Sequence, residues 1–499
     1  MQTLNLIIPM AGAGKRFINK NYKTYKTLLN VDNNITVYDR IISNFKTQKI
    51  CIIVILNKNI YSKFKHKFNK KNVKLIFIES HNSGPLYTLF KASYELNRII
   101  KKDESFFVCY GDINWKWNLK KVLKFIKNKD ACVFTHKGFH PHLEVNSKSD
   151  FCKIKKNNVI KILQKKKFSK DYKKDYLAIG CYYFKKIQFL NDLFQQKKFY
   201  FKKKEYYLLS LINHLIKNKI KISIYNINKF VHLGTPDQYE DFISWKIKIS
   251  KNFYIKRSNL LNNNPCIMLM AGQGKRLKKI NSNKFLLTYK NFEIFKYILK
   301  IYNAKKNIII TNNHLKNQIP KHNNTELFLV KKNNSMFQTI LESSKLLNNY
   351  DKYLLTSCDC HGEFNLNELQ KITKKNIDLC MFGFQFTNLQ KNLNNAHTQL
   401  ILKNDMVRNI KVKAKFDNKL LGHAGFFWIN SNKVFSYFDN FLRSKYYKSL
   451  KREIIIDDYF KFIINNKLIK ASFIKLKNYI HIGSLVEYQE YEYWHKYFK

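Results

Sequence analysis

Apolar runs too short for helices punctuate the first half of the chain. Ile50 to Leu56, Val73 to Ile78 and Ser105 to Tyr110 are continuous rather than alternating, which predicts strands buried on both faces of a parallel sheet. Between them, Val37 to Phe45 and Leu86 to Leu96 place apolar residues at helical spacing, so helices should cover that sheet. The opening run, Met1 to Pro9, meets two glycines and Lys15-Arg16 directly. It reads as a first strand entering a glycine loop and not as a signal peptide. Beyond Asp112 the pattern loosens into β segments at Phe151 to Leu163 and Tyr176 to Phe184, then a helix around Glu205 to Lys217. The expected fold is α/β, a Rossmann-like sheet, mixed but mostly parallel and flanked by helices, with a small inserted β region.

The pattern then repeats. LIIPMAGAGKRF at Leu6 to Phe17 returns as CIMLMAGQGKRL at Cys266 to Leu277. Lys26 in YKTLL recurs as Lys284 in NKFLL, Asp112 after a strand as Asp359 after a strand, and HLGTPDQYEDF from His232 as HIGSLVEYQEY from His481. The offset drifts only between 247 and 260 residues, so the chain reads as two tandem copies of one domain. We expect domains at 1–250 and 265–499, joined by a polar, aperiodic linker at 251–264.

With 499 residues, 45% of them hydrophobic, both copies can bury a core. The formal net charge of +58 would suggest a polyanionic partner, but lysine is dispersed through every segment, so neither a specific nucleic acid nor a membrane is expected as a partner. None of the nine cysteines forms a CxxC pair, and Cys358-Asp359-Cys360-His361 lacks a second ligand pair for zinc. No apolar stretch reaches the ~20 residues that span a bilayer. A cytoplasmic protein with reduced thiols is the consistent expectation.

The loop AGAGKR carries the first chemistry. Gly12, Ala13 and Gly14 leave backbone N–H groups open to a phosphate chain, and Lys15 with Arg16 adds charge at the mouth of a helix. It lacks the hydroxyl and wider spacing of a Walker A loop, and the third glycine of the dinucleotide fingerprint, where Phe17 stands.

Taken with a lysine ten residues on, an aspartate after a strand and a late GTP segment, this loop resembles the sugar-phosphate nucleotidyltransferase family over Met1 to about Lys248. The resemblance implies a triphosphate held by Gly12, Ala13, Gly14, Lys15 and Arg16, an α-phosphate met by Lys26, Mg²⁺ bound by Asp112, and a nucleobase against Gly84. It also implies an acceptor held by Lys165 and the sheet glycine Gly180. Three departures stand out: Tyr25 replaces the family's proline, Gln164 its glutamate before the acceptor lysine, and His232 its second metal-binding aspartate. In the second copy Gly272, Gly274, Lys275, Arg276, Lys284 and Asp359 match the phosphate and metal positions. Ser335 stands where Gly84 does, Val412 where Gln164 does, and Lys413 and Gly425 match the acceptor positions.

The residue types suit such chemistry independently. A phosphate oxygen attacking the α-phosphorus of a nucleoside triphosphate is already ionised, so positioning and cations do most of the work. The expected activity is Mg²⁺-dependent transfer of a nucleotidyl group to a phosphorylated acceptor, a sugar 1-phosphate for surface polysaccharide, releasing pyrophosphate. A cytidylyltransferase for a small phosphorylated alcohol or amide, with a non-catalytic second copy, keeps the same chemistry. Outside the class stand a glycosyltransferase, whose metal pair would be Asp457-Asp458, and a basic nucleic-acid binder.

Overall fold

The apolar runs are strands in the computed structural model, which describes residues 4–46, 50–68, 72–146, 148–196, 205–250, 259–272, 277, 280, 283–321, 324–331, 335–392 and 397–499. The chain divides into two units, Met1–Ile243 with Lys499, and Ser244–Phe498. The first contains β1 (Leu4–Pro9), β2 (Ile50–Leu56), β3 (Val73–Phe77), β4 (Phe106–Cys109), β5 (Ala131–His136), β6 (Phe151–Lys155), β7 (Asn158–Leu163), β8 (Tyr176–Phe184) and β9 (Ile222–Asn226). They form one sheet in the order β3-β2-β1-β4-β8-β5-β9-β7-β6. β3, β2, β1 and β4 run parallel, and β8 is antiparallel to both β4 and β5. The central strands are apolar throughout because helices cover both faces.

The second unit repeats this strand for strand. Its strands are β10 (Cys266–Leu269), β11 (Asn307–Asn312), β12 (Thr325–Val330), β13 (Tyr353–Ser357), β14 (Leu379–Phe384), β15 (Gln399–Lys403), β16 (Met406–Lys411), β17 (Leu421–Ile429) and β18 (Ala471–Lys475). Their order, β12-β11-β10-β13-β17-β14-β18-β16-β15, is that of the first sheet with every number raised by nine. The fold class is therefore two tandem Rossmann-like α/β units, each with its own buried core.

The inserted β region joins the main sheet instead of forming a separate layer, because the β6–β7 hairpin pairs with β8 and β9. Lys156 and Asn157, both at positive φ, make its two-residue turn, the geometry that matches strand twist. Asn404 and Asp405 do the same between β15 and β16.

Three expected elements shift. Leu86 to Leu96 is two helices, Pro85–Lys91 and Ser93–Ile99, broken at Ala92. The helix expected from Glu205 starts at Leu209, because the backbone before it is tied to another segment: Tyr206 N–H donates to Ser83 O at 2.8 Å and Leu86 N–H to Tyr206 O at 3.0 Å. Helix Pro236–Ser250 runs beyond Trp245, where the sequence after HLGTP suggests its end, and the division between the units falls inside it. Of the expected linker, residues 251–258 lie outside the described residues, and Asn259–Asn263 is a short helix.

Gly180 sits where β8 shifts register against β5. Its φ is +90°, and a Cβ there would approach the Tyr110 ring to 2.8 Å. Gly180→Ala should therefore destabilise the first unit by about 1–3 kcal/mol. Gly12 has an ordinary φ and nothing closer than 4.0 Å to an added Cβ, so Gly12→Ala should stay within about 0.5 kcal/mol of wild type. Urea unfolding of both variants measures the difference.

Candidate active site

Because β1 and β4 are parallel neighbours, the loops that leave them open side by side at the carboxyl edge of the sheet, where α/β folds bind ligands. Gly14, at φ +65°, caps the one-turn helix Lys15–Ile18. Ala13 N–H donates to His81 O at 3.1 Å, which fixes the loop's other side. Tyr25 closes it from beneath, with its hydroxyl 2.8 Å from Met10 O and 2.9 Å from Gly12 O. Its φ and ψ of −63° and 138° are those a proline would hold. Tyrosine thus keeps the backbone of the lost proline and adds a brace under the glycine loop.

Lys26 follows in the 3₁₀ turn Lys26–Leu28 and donates from Nζ to Asp112 Oδ2 at 2.7 Å. Burial would raise the Asp112 carboxyl, but the Lys26 charge and hydrogen bond, then His232 and Arg16, hold it below the usual range. A Cβ at Gly234, in the GTP segment, would come within 3.1 Å of Asp112 Oδ2, and Leu233 N–H donates to Asp112 O at 2.8 Å. His232 beside it is neutral, its pKa lowered by burial to about 4 against the opposing pull of Asp112.

These residues surround one cleft of about 500 Å³. Gly12, Ala13, Gly14, Lys15, Arg16, Lys26, Gly84 and Asp112 all line it. Gly84 also has a structural duty, since a Cβ there would lie 2.5 Å from Tyr206 O. Lys165 and Gly180 do not line the cleft. Lys165 reaches its rim through Glu205, Nζ to Oε2 at 3.2 Å, and lies 5.5 Å over the Tyr207 ring. Gly180 acts through the room it leaves for Tyr110, which does line the cleft. Sequence reasoning marked Tyr25 only as a lost proline, without its brace, and missed Glu205, Tyr207 and His81. The first is at a position where the type of residue changed but the backbone did not. Glu205 and Tyr207 were hidden by assigning them to a helix.

Residues 6–244 match the family model described as nucleotidyl transferase. This part of the chain belongs to the nucleotidyl transferase family. Three solved structures are similar in fold. The nucleoside-diphosphate-sugar pyrophosphorylase of Vibrio cholerae RC9 is 19% identical, with 48% of this chain and 99% of that one covered and a TM-score of 0.39. For a putative glucose-1-phosphate thymidylyltransferase from Bacillus anthracis the values are 16%, 51%, 98% and 0.41, and for the inositol-1-phosphate CTP transferase of T. maritima they are 15%, 47%, 96% and 0.37. Comparison with curated proteins gives no match. Among the described residues no helix is long and apolar enough to cross a membrane.

Beside this nucleotidyl transferase unit, the second unit has its own cleft of about 570 Å³, lined by Gly272, Lys284, Ser335, Asp359, Lys413 and Gly425. Gly274, Lys275 and Arg276 lie outside the described residues. Lys284 repeats the 3₁₀ turn after an extended Asn283, at φ −68° and ψ 140°, and its Nζ pairs with Asp359 Oδ2. Burial opposes both charges, yet the pair holds Asp359 well below, and Lys284 above, the ordinary values. The far wall differs. His423 Nδ1 lies 2.9 Å from Asp457 Oδ1, and Thr398 Oγ1 donates to Asp457 Oδ2 at 2.8 Å. Asp458 does not join Asp457 at the cleft: Arg452 holds it at 2.6 and 2.8 Å, and it caps its own helix.

The first unit also packs His136, His140, His142 and His232 ring against ring, with centroids 5.3–5.8 Å apart along the series. Burial, then the neighbouring imidazoles, push His140 well below the histidine range, and burial lowers His136. The unfolded chain takes up protons that His136, His140 and His232 refuse, so stability is present above about pH 6.5 and falls as pH drops below it. His140→Leu should lose less stability than wild type between pH 7.5 and 5.5, as read by urea midpoints.

Proposed function

We propose that the first unit transfers a nucleotidyl group from a nucleoside triphosphate to a phosphorylated small molecule, a sugar 1-phosphate, and releases pyrophosphate. The observation that supports it best is the convergence of the glycine loop, Lys26 and Asp112 on one cleft in the part of the chain that matches the family. Lys15 and Arg16 would neutralise the leaving pyrophosphate and Lys26 the α-phosphate, charges that build as the P–O bond breaks. Lys165, held at the rim by Glu205, would meet the acceptor phosphate.

Asp112 offers a hard carboxylate oxygen beside the phosphate loop, and His232, neutral and nitrogen-bearing, is a poor Mg²⁺ ligand. The residues thus fit a Mg²⁺ held by Asp112, substrate phosphates and water, which would supply charge neutralisation. The second unit repeats the lysine–aspartate pair with a different far wall, which supports a second catalytic unit with another acceptor. Domain limits near 250 and 265 and a cytoplasmic setting complete the reading.

Incubation of the full chain with each nucleoside triphosphate, Mg²⁺ and a panel of phosphorylated acceptors should release pyrophosphate for a particular pair. Folded protein that stays silent across the panel overturns the reading. Asp112→Asn and Lys26→Ala should each lower that turnover about 10²- to 10³-fold with the unfolding midpoint little changed. Lys284→Ala should leave the same reaction intact and remove a second one, because separated sites act independently.

A further inference from the structure

We propose that the second unit binds a divalent transition metal through His397, His481 and Glu487, with a preference for Zn²⁺-like ions over Mg²⁺. Among the described residues this is the one group of three such side chains whose ligand atoms lie within 4.8 Å of one another. Glu487 Oε1 is 2.7 Å from His481 Nδ1 and 3.4 Å from His397 Nε2. Donors of a tetrahedral zinc ion, each about 2.0–2.2 Å from it, stand about 3.3 Å apart. One distance already matches, and the other opens by a small rotation as the ion takes the place of the proton on Nδ1.

The three side chains are held in advance. The other nitrogen of His481, Nε2, faces Asp359 Oδ2 at 3.3 Å, the carboxylate backing that orients a metal-bound imidazole. The second oxygen of Glu487 accepts from Ser484 Oγ at 2.7 Å. The His397 ring stands edge-on to Phe384 and Phe386, at 5.5 and 5.7 Å. Side-chain exposure is 8% for His397, 17% for His481 and 4% for Glu487, so little water competes. His397 and His481 nevertheless line the cleft, which leaves the remaining coordination positions on the side a ligand would enter.

Two imidazoles and one carboxylate suit zinc, cobalt or manganese better than magnesium, which demands an octahedron of oxygens. Among its described residues the first unit lacks the set. His232 matches His481, but Gln238 stands at the position of Glu487 and its Oε1 accepts from Gly234 N–H at 3.0 Å. The exchange of glutamine for glutamate, with His397 brought alongside, is what separates the two units here.

The test reads metal rather than turnover. Full-length protein stripped with a chelator should take up one equivalent of Co²⁺ with visible absorption bands of a low-coordinate ion. Zn²⁺ should displace it, and millimolar Mg²⁺ should not. His397→Ala and Glu487→Gln should each weaken Co²⁺ binding by about 100-fold or more. If Glu487→Gln fails to fold, His397→Ala decides alone. Wild-type protein that retains no Co²⁺, or a His397→Ala variant that binds it as tightly as wild type, overturns the proposal and leaves the three side chains as a proton-bridged network.

Discussion

A lysine and an aspartate 86 residues apart meet at 2.7 Å, and the geometry of each cleft depends on that meeting. Each charge holds the other in place, while side-chain exposures of 28% for Lys26 and 24% for Asp112 leave water to solvate whichever group remains when its partner is removed. The pair is possible only because β1 and β4 are parallel neighbours, so the loop after one strand and the turn after the next emerge on the same edge. The same holds for Lys284 and Asp359 through β10 and β13. Under the proposed function, a triphosphate entering such a cleft would meet cations already gathered and a carboxylate already ionised, leaving little reorganisation for the reaction itself.

The strands that carry this arrangement were readable because they are buried on both faces and therefore uniformly apolar. Tyr176–Phe184 and Ile50–Leu56 follow from that alone, and the tandem duplication from the glycine loop, lysine and aspartate that recur in order. What escaped was set by long-range contacts. Glu205 has helical neighbours in sequence, yet Tyr206 exchanges hydrogen bonds with Ser83 and Leu86, which draws the segment out and turns Glu205 and Tyr207 into the cleft. Tyr25 escaped for a different reason. A residue-type match looks for proline, whereas the site needs a backbone at φ −63° and ψ 138°, which tyrosine also adopts.

Gly180 and Gly425 show how one motif position can serve two ends. Both have positive φ, but an added Cβ would strike the Tyr110 ring at 2.8 Å in the first unit and find only Cys360 Sγ at 3.9 Å in the second. The glycine of the first unit is fixed by packing behind the cleft, and that of the second lines it. A role inferred from the motif alone would have merged them.

The two units agree in backbone around the lysine–aspartate pair and disagree in side chains on the opposite wall. Lys26 and Lys284 share a 3₁₀ turn after an extended residue, and Lys165 and Lys413 share a left-handed φ, 53° and 45°. Against this constancy, the first unit sets Glu205 and Tyr207 around Lys165, and the second sets His423, Asp457 and Thr398 beside Lys413. In the proposed reaction, charge stabilisation of a transferring nucleotidyl group needs a fixed frame and so resists change. Recognition of the second substrate needs only a different set of hydrogen-bonding groups on the same frame, and that is where the duplicated sequence has diverged.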